Sequence, residues 1–456
     1  MIESSIEELF NSINNSNEYK EYKQIVDIIE EDNDIKNLIE EIKKLQKEAT
    51  YLEYHEDNKY KEIDSIIEEK TKELNNNSKY QEYLSKLKDF NNMNNTFYKE
   101  NNLSGLKRAD FQKIVDGKET DLFILSNQQG TEVAITNYGG AILSVMVPDK
   151  NGKLANVVQG HDSIDNVINS HEPFLSTLIG RYGNRIAKGS FLMDGQEHNL
   201  TINNGPNSLH GGPTGFHARV WDAKQEDEHS VTLHYLSKDG EEGFPGNLDI
   251  TVTYTLTGEN ELVITYVANC DKKTITNLTN HAFFSLAGLN NPTPTVDNNI
   301  VTINADFYIP IDEVSIPTGE VLKVEGTPMD FRTPHTVGSR INEPFQQLIN
   351  GAGYDHCYVL NKRETEALVF AAKCIEPESG RSLEVYTTEP GVQVYTANWH
   401  NGFTGYHGAT FPARSAICFE AQHFPDSPNK GHFPSVVLKP EDTYHQVTIY
   451  KFGVEK

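Results

Sequence analysis

The stretch "LDITVTYTLTGENELVITYVAN", residues 248–269, alternates apolar and polar side chains on both sides of a short polar turn. Runs with a period of two that are rich in Val, Ile, Thr and Tyr are typical of β-strands. The segment 258–260, Gly-Glu-Asn, lies between the two runs and supplies the residue types that a tight turn needs. These residues therefore predict an antiparallel β-hairpin.

The same pattern continues on both sides of this hairpin, from about residue 108 to the carboxyl end. It recurs in "EVAITNYGGAILSVMVPD" (132–149), "SVTLHYLS" (230–237) and "SLEVYTTEPGVQVYTANW" (382–399), where Pro390 and Gly391 predict a second hairpin. Helices do not alternate regularly with these strands, which argues against a parallel α/β fold. We predict a mainly β fold, a large antiparallel β-sandwich with a concave face or mouth for a ligand.

The first hundred residues have a different composition. They contain no glycine and no proline, whereas all 32 glycines and 19 prolines follow. Apolar residues recur there with helical spacing, as in the set 6, 9, 10 and 13 and the set 35, 38, 39, 42 and 45. We predict an all-α domain over residues 1–92, a linker over 93–107 and the β-sandwich domain over 108–456.

The charge balance excludes two classes of partner. With 40 basic and 66 acidic side chains the formal net charge is −26, which repels both nucleic-acid phosphates and anionic lipid headgroups. The sequence has no membrane-spanning apolar stretch and no signal peptide, so a cytoplasmic location is expected. The four cysteines are far apart and lack zinc-site spacing, which predicts reduced structural thiols.

Two stretches present histidines in unusual settings. In "NSLHGG" (207–212), His210 precedes two glycines, which we expect to let a ligand approach the imidazole closely. His217 and Trp221, which follow shortly afterwards, are expected at the same rim. In "NLTNHAFFSLAG" (277–288), His281 interrupts an apolar run. By itself such a histidine is slightly more often a hydrogen-bonded core residue than a catalyst.

Three further stretches place polar side chains next to glycines or at the ends of apolar strands. "GRYGNRIAKG" (180–189) carries Asn184 and Arg185, which can reach ligand hydroxyls, although a surface arginine is the simpler interpretation. "GYDHCYVL" (353–360) carries Asp355, and "ICFEAQHFPDSPN" (417–429) carries Glu420. Burying a carboxylate is costly, so Glu420 has either a structural partner or a raised pKa suited to proton transfer.

Three functions are compatible with two imidazoles, two carboxylates and one guanidinium. A glycoside hydrolase would use Asp355 and Glu420 as its carboxylate pair. A metal-dependent sugar enzyme would use His210 and His281 as ligands, but no HxH or HExxH spacing supports it. An epimerase at the anomeric carbon needs only one carboxylate and one histidine on opposite sides of the sugar.

Six motifs in order resemble the aldose 1-epimerase family: "NYGGAILSVMVPDKNGK", "IGRYGNRIAKG", "NNGPNSLHGG", "NLTNHAFFSLAG", "YDHCYVL" and "CFEAQHFPDSPN". The resemblance implies the large β-sandwich of that family, substrates of the D-glucose or D-galactose type, and catalysis without cofactor or metal. It implies that Glu420 is the general base, His281 the general acid, and His210 the group that polarises the sugar near its ring oxygen. Asn184, Arg185 and Asp355 would bind the sugar.

The chain departs from the family pattern at Phe283 and Ser285, where the family often has tyrosine and asparagine; these changes are expected to affect the packing beneath His281. A sugar-binding or sensing protein without catalysis is the main rival function. Phosphorylated hexoses are disfavoured, because no basic cluster exists beyond Arg181 and Arg185. The runs "NEYKEYKQIVDIIEEDNDIKNLIEEIKKLQKE" and "KYQEYLSKLKDF" resemble the small YlbF-like helical proteins over residues 1–97. The resemblance implies contacts with a protein partner or with a second copy of the chain. A generic helical spacer or oligomerisation segment is the alternative interpretation.

Overall fold

The computed structural model of the 456-residue chain describes residues 16–54, 59–86, 102–225, 227–362 and 368–455. The chain divides into two compact units, Met1–Asn101 and Asn102–Lys456. No helix in these described ranges combines the length and the apolar character needed to cross a membrane.

The first unit is helical. Its helices span Asn17–Glu31, Asn33–Tyr54 and Tyr60–Asn76, and residues 78–86 are also helical. The Ser16 side chain caps the first helix by accepting a hydrogen bond from the Tyr19 N–H at 3.1 Å. The small apolar core contains Ile29, Ile35, Ile42 and Leu74, with Leu38 and Ile39 packed against it. The stripe expected from residue 35 to 42 is thus confirmed, while the stripe expected at residues 6–13 lies outside the described residues.

The second unit is built around a nine-stranded antiparallel sheet, and the hairpin of residues 248–269 lies within it. A hydrogen bond from the Thr257 N–H to the Glu261 carbonyl, at 2.9 Å, closes the turn of this hairpin. In both strands buried side chains alternate with partly or fully exposed ones, as a period of two requires. In spatial order the strands are Asp222–Gln225, Ser230–Ser237, Leu248–Leu256, Glu261–Cys270, Tyr444–Val454, Arg381–Thr387, Val369–Ile375, Ile300–Ile303 and His335–Thr336.

Two smaller sheets complete the body of this unit. The five-stranded sheet has the order Leu322–Lys323, Phe307–Tyr308, Asp355–Val359, Gly391–Tyr395 and Cys418–Gln422. The four-stranded sheet has the order Leu122–Ser126, Glu132–Thr136, Ile142–Pro148 and Leu154–Asn156.

Short elements join the sheets. The two-stranded ladders are Lys113–Val115 with Lys118–Thr120, Leu178–Ile179 with Thr279–Asn280, Arg185–Ile186 with Ser208–Leu209, Ser190–Met193 with Gln196–Asn199, Thr274–Ile275 with Val437–Leu438, and Asn401–Thr404 with Thr410–Pro412. The short helices are Ile164–Ile168 and Gln346–Asn350, and the 3₁₀ turns are Arg108–Phe111, Ala187–Gly189, Phe216–Ala218, Glu241–Gly243, Val337–Ser339, Tyr406–Gly408 and Ser427–Asn429.

The main apolar core draws buried side chains from all three sheets. Buried tyrosines also connect them: Tyr450 on the nine-stranded sheet donates its hydroxyl to the Phe419 carbonyl of the five-stranded sheet at 2.9 Å. The expected mainly β fold, an antiparallel sandwich preceded by helices, is confirmed. All four cysteines are buried, and none forms a disulfide.

The second predicted hairpin is wrong. Arg381–Thr387 belongs to the nine-stranded sheet, whereas Gly391–Tyr395 belongs to the five-stranded sheet. The intervening segment crosses between sheets: the Thr388 N–H is still bonded to Val447, but the Pro390 carbonyl already accepts from Leu360. A Pro-Gly pair between two strand patterns marks a change of direction, but it does not specify that the strands pair.

The second unit begins before residue 108, where the sequence pattern places its start. Asn102, Ser104 and Leu106 are buried. The buried Glu132 carboxylate accepts hydrogen bonds from the N–H groups of Leu103 and Ser104, at 2.8 and 3.0 Å. Residues 102–107 are therefore a structural part of this unit.

Candidate active site

A cavity of about 490 Å³ opens in the second unit, and the six residues to which the sequence assigns catalytic or sugar-binding roles all line it. Those residues are Asn184, Arg185, His210, His281, Asp355 and Glu420. The other lining residues are Glu172, Pro173, Phe174, Asn204, Gly205, Pro206, Leu209, Glu313, Val314, Ser315, Tyr395 and Trp399. Six side chains separated by up to 236 positions in the sequence thus share one cavity.

The two strands that flank Gly391–Tyr395 in the five-stranded sheet each place one carboxylate in the cavity. Glu420 is paired across the ladder with Gln393, and Asp355 is paired with Tyr395, two residues further along the same middle strand. Because alternate residues of a strand share a face, these side chains lie on one side of the sheet. Gln393 donates its amide to the Asp355 carboxylate at 2.7 Å, which holds that carboxylate in place.

His281 lies directly after the short strand Thr279–Asn280, and its backbone N–H donates to the Thr177 carbonyl at 2.9 Å. Its Nε2 is 3.5 Å from Oε1 of Glu420. The imidazole stacks on Phe283 with ring centroids 4.7 Å apart, and Phe283 in turn stacks on His400. Phe283 stands where the family often has tyrosine, and its aromatic ring still stacks on His281.

His210 completes a group of three. Its Nδ1 accepts a hydrogen bond from the Asn184 N–H at 3.1 Å, so in the neutral ring the proton resides on Nε2. The ligand atoms of His210, His281 and Glu420 all lie within 4.8 Å of one another. This spacing allows a sugar edge to be contacted by all three, and it is also short enough for the three to bind a divalent metal ion.

The two glycines after His210 serve a different purpose from the one expected. Neither lines the cavity. Gly211 has φ +82°, and a Cβ there would be 2.0 Å from the Gly180 carbonyl oxygen. A Cβ on Gly212 would lie 2.6 Å from the Glu242 carboxylate. The glycines let the turn pack against neighbouring protein and so position His210, and they do not make room for a ligand.

Arg185 lies near Asp355 at the cavity wall. Its Nη1 is 3.9 Å from Oδ2 of Asp355, and its Nε donates to Asn204 at 3.1 Å. The Asn184 carboxamide oxygen accepts the Arg185 N–H at 2.9 Å. A guanidinium and a carboxylate side by side offer both donors and acceptors to sugar hydroxyl groups.

Burial controls the protonation of the central groups. Only 1% of Glu420 is exposed. Desolvation, followed by the nearby Asp355 charge, raises its pKa well above the ordinary value. Burial lowers the pKa of His281 to about 3. It also raises the pKa of Asp355, although Arg185 opposes that shift. Burial thus favours the neutral form of both members of the Glu420–His281 pair.

Sequence reasoning assigned no role to the twelve other lining residues or to Gln393, and it misplaced two residues. Glu172, whose pKa burial raises to about 7, together with Tyr395 and Trp399, lines the cavity, and Gln393 lies behind Asp355. Glu172 follows the polar residues Asn169, Ser170 and His171, so its sequence setting gave no comparable signal. Trp221, expected at the rim, is 1% exposed and packs in the main core.

His217 is also absent from the cavity wall. It is buried, and its ring centroid is 4.6 Å from that of the lining residue Phe174. His217 therefore lies behind Phe174 and does not itself line the cavity.

Two family models match the chain. The model described as aldose 1-epimerase matches residues 121–451. The model described as control of competence regulator ComK, YlbF/YmcA, matches residues 2–100.

Known proteins match about three quarters of this chain over nearly their own whole length. The galactose mutarotase of Bos taurus is 42% identical over 349 residues, which is 76% of this chain and 98% of that protein. The galactose mutarotase of Homo sapiens is 39% identical over 353 residues, covering 77% of this chain and all of that protein. The aldose 1-epimerase of Haemophilus influenzae is 36% identical, covering 74% and 97%.

Solved structures with this fold include a GalM/aldose epimerase homologue from C. elegans, with a TM-score of 0.68 and 29% identity. It covers 74% of this chain, and all of that chain is matched. A galactose 1-epimerase from Lactobacillus acidophilus has a TM-score of 0.66 and 28% identity, covering 75% and 97%.

Proposed function

The chain belongs to the aldose 1-epimerase family, and on that premise we propose how its cavity interconverts the α and β anomers of an aldose. The enzyme is an isomerase. Its substrates are free sugars of the D-galactose and D-glucose type. The observation that carries the mechanism is the 3.5 Å separation of His281 Nε2 and Glu420 Oε1 within the cavity.

Glu420 removes the proton from the O1 hydroxyl while His281 donates a proton to the ring oxygen. The bond between C1 and the ring oxygen then breaks, which leaves an open-chain aldehyde. After rotation about the C1–C2 bond, the hydroxyl adds back to the other face of the carbonyl, with the two proton transfers reversed. Both oxygens are attached to C1, so an acid and a base 3.5 Å apart can contact them together.

The pair must hold one proton for this reaction. In the empty cavity, burial favours that proton on Glu420, beside a neutral His281. Transfer of the proton to His281 produces the base and the acid without any change in the total charge. Because the groups are coupled, their titration belongs to the pair and not to either residue alone.

The surrounding residues bind and orient the sugar. His210 donates from Nε2 to the ring-oxygen side, since its Nδ1 is occupied by Asn184. Arg185 and Asp355 bind hydroxyl groups farther from C1, and Asn184 supports both His210 and Arg185. Orientation of this kind contributes to rate because the reacting atoms are held in contact.

Polarimetry on freshly dissolved α-D-galactose and α-D-glucose tests the function. We expect catalysed mutarotation of one or both, unchanged by a chelator. Loss of activity with the chelator would instead favour a metal bound by His210, His281 and Glu420. Cleavage of a nitrophenyl galactoside would point to a hydrolase, and binding without turnover would point to a sugar sensor.

For the helical unit we propose a role in protein contacts, with a second copy of this chain or with another protein. Its match to the YlbF/YmcA model supports this role. All residues assigned to catalysis lie in the other unit, so the helical unit is not required for the chemistry.

A further inference from the structure

The strand that carries Arg185 is only two residues long, Arg185–Ile186. Asn184, which precedes it, has φ +65°, and Lys188, which follows shortly afterwards, has φ +56°. Residues other than glycine rarely adopt this left-handed conformation, and they keep it only where surrounding contacts hold them there. A two-residue strand in such a setting therefore depends on its neighbours for its position.

Asp426 holds this strand at two points. Its N–H donates to the Arg185 carbonyl at 2.9 Å, and its Oδ1 accepts the Ala187 N–H, also at 2.9 Å. These bonds hold the backbone before and after Ile186, in addition to the ladder that the strand forms with Ser208–Leu209. They fix the backbone from which the Arg185 side chain extends.

The Asp426 side chain is itself firmly placed. It is 0% exposed, and it accepts hydrogen bonds from the Asn429 amide at 2.8 Å and from Lys430 Nζ at 2.9 Å. It does not line the cavity. It lies four residues beyond the strand Cys418–Gln422, which carries Glu420. One segment of the chain therefore carries Glu420 and also supports the strand of Arg185.

We propose that Asp426 is a positioning residue, which sets where the Arg185 guanidinium meets the sugar. This inference rests on the proposed function, in which Arg185 binds hydroxyl groups farther from C1. Asn204 holds the outer end of the arginine through its Nε at 3.1 Å, and Asp426 holds the backbone end. Arg185 transfers no proton in that mechanism, so loss of this support raises KM more than it lowers kcat.

Mutarotation kinetics of the full chain with galactose test this role. Asp426→Gly keeps a residue that accepts the left-handed backbone but removes the acceptor of the Ala187 N–H. We expect KM to rise at least about tenfold and kcat to fall less than about threefold. Asp426→Asn retains a side-chain oxygen at the same position, so both constants should stay close to those of the wild type. Asp194→Gly is the matched control and should change neither constant, because Asp194 is another left-handed aspartate with a lysine partner and lies outside the cavity.

A second pair of variants distinguishes positioning from a general loss of stability. If Asp426 acts through Arg185, Asp426→Gly in an Arg185→Ala chain should raise KM by less than about threefold further. The same rise in KM in both backgrounds would overturn the proposal, as would an unchanged KM for Asp426→Gly alone. A rise in KM for Asp426→Asn as large as that for Asp426→Gly would show that the charge beside Lys430 matters instead, which also rejects it.

Asp426→Glu replaces Asp426→Gly in both backgrounds if the glycine variant does not fold. The longer side chain keeps the charge beside Lys430 but moves the oxygen away from the Ala187 N–H, so KM should again rise in the chain that has Arg185. A KM equal to that of the wild type would reject the positioning role.

The proposed function and the positioning role fail in different ways. If the wild-type protein does not turn over galactose, the proposed function fails. Calorimetric titration with galactose then measures the positioning role alone: Asp426→Gly should weaken binding at least about tenfold, and Arg185→Ala should remove that effect. Unchanged binding would reject the positioning role, and no galactose binding by the wild type would reject both.

Discussion

At the scale of single residues, the proposed mechanism depends on the proton that Glu420 and His281 share. Their Oε1 and Nε2 atoms are 3.5 Å apart, and both side chains are buried. A positioned acid or base typically contributes on the order of 10²- to 10⁴-fold to a rate. Removing the Glu420 carboxyl or the His281 imidazole should therefore change the rate far more than it changes sugar binding.

We expect Glu420→Gln and His281→Asn each to lower kcat for galactose mutarotation by at least about 100-fold, because each removes one proton-transfer group. Polarimetry gives the rate, and calorimetric titration with galactose checks that the sugar still binds. Glu259→Gln, an exposed carboxylate at the tip of the hairpin, is the control. Full turnover by either active-site variant would refute the assigned roles.

The pH profile of kcat/KM tests the shared proton. Burial lowers the pKa of His281 to about 3, so no acidic limb is expected near pH 6.5. The raised pKa of Glu420 means that the pair loses its proton, and activity falls, only on the alkaline side. The Glu172 carboxylate, whose own pKa is about 7, contributes to that raised pKa of Glu420.

Glu172→Gln should consequently shift the alkaline limb to lower pH, because it removes a negative charge that favours protonated Glu420. The profile is measured with galactose between pH 5 and 9, and spontaneous mutarotation is subtracted. Glu259→Gln should leave the profile unchanged. A limb that stays in place, or moves to higher pH, would contradict this electrostatic coupling.

At the scale of elements, the turn that carries His210 depends on a close contact between two backbones. Gly211 has φ +82° and lies against the Gly180 carbonyl, where a Cβ would be only 2.0 Å from the oxygen. Gly195 has a similar φ of +77°, but a Cβ added there would meet no atom of the described residues within 4 Å. Alanine substitutions at Gly195 and Gly211 therefore distinguish the cost of backbone strain from the cost of a steric clash.

Gly195→Ala should cost about 1 kcal/mol in the free energy of unfolding, from the left-handed backbone alone. Gly211→Ala should cost about 3 kcal/mol or more, because the turn must also move away from Gly180, and it should reduce activity by displacing His210. Denaturant unfolding followed by tryptophan fluorescence reports on the second unit, since both tryptophans lie there. Equal losses of stability would rule out the crowding argument.

At the scale of the whole molecule, the two units are predicted to have separable roles. Every residue assigned to catalysis lies in Asn102–Lys456. We expect a chain lacking residues 1–101 to retain mutarotation within about twofold of the full chain and to lose any self-association seen for that chain in sedimentation experiments. A large loss of activity, or unchanged self-association, would contradict the separation.

The residue at which the truncated chain begins is expected to affect its stability. Removing residues 1–107 also removes Leu106 from the core and leaves the buried Glu132 carboxylate without the N–H groups of Leu103 and Ser104. An unsatisfied buried group of this kind costs about 1–3 kcal/mol or more. We expect a lower Tm for the 108–456 chain than for the 102–456 chain. Identical Tm values would show that residues 102–107 do not stabilise the unit.

Much of this protein was readable from the sequence by itself. Alternating residues in 248–269 specify a half-buried strand pair, because side chains of a strand point alternately to opposite faces. The absence of glycine and proline before residue 101 separates the helices from the sheets. The six residues that line the cavity were singled out from motifs, since polar groups beside glycines or at the ends of apolar strands are unusual in a plain sandwich. Their proposed roles came from the resemblance to the aldose 1-epimerase family.

Only the tertiary structure decided which strands pair and what each glycine contacts. Pro390 and Gly391 change the direction of the chain, but long-range pairing sends the strands on either side into different sheets. Gly211 meets Gly180, and Gln393 reaches Asp355, through contacts between segments distant in the sequence. Local patterns record the backbone preference and polarity of each segment, whereas these contacts depend on where the remaining segments pack.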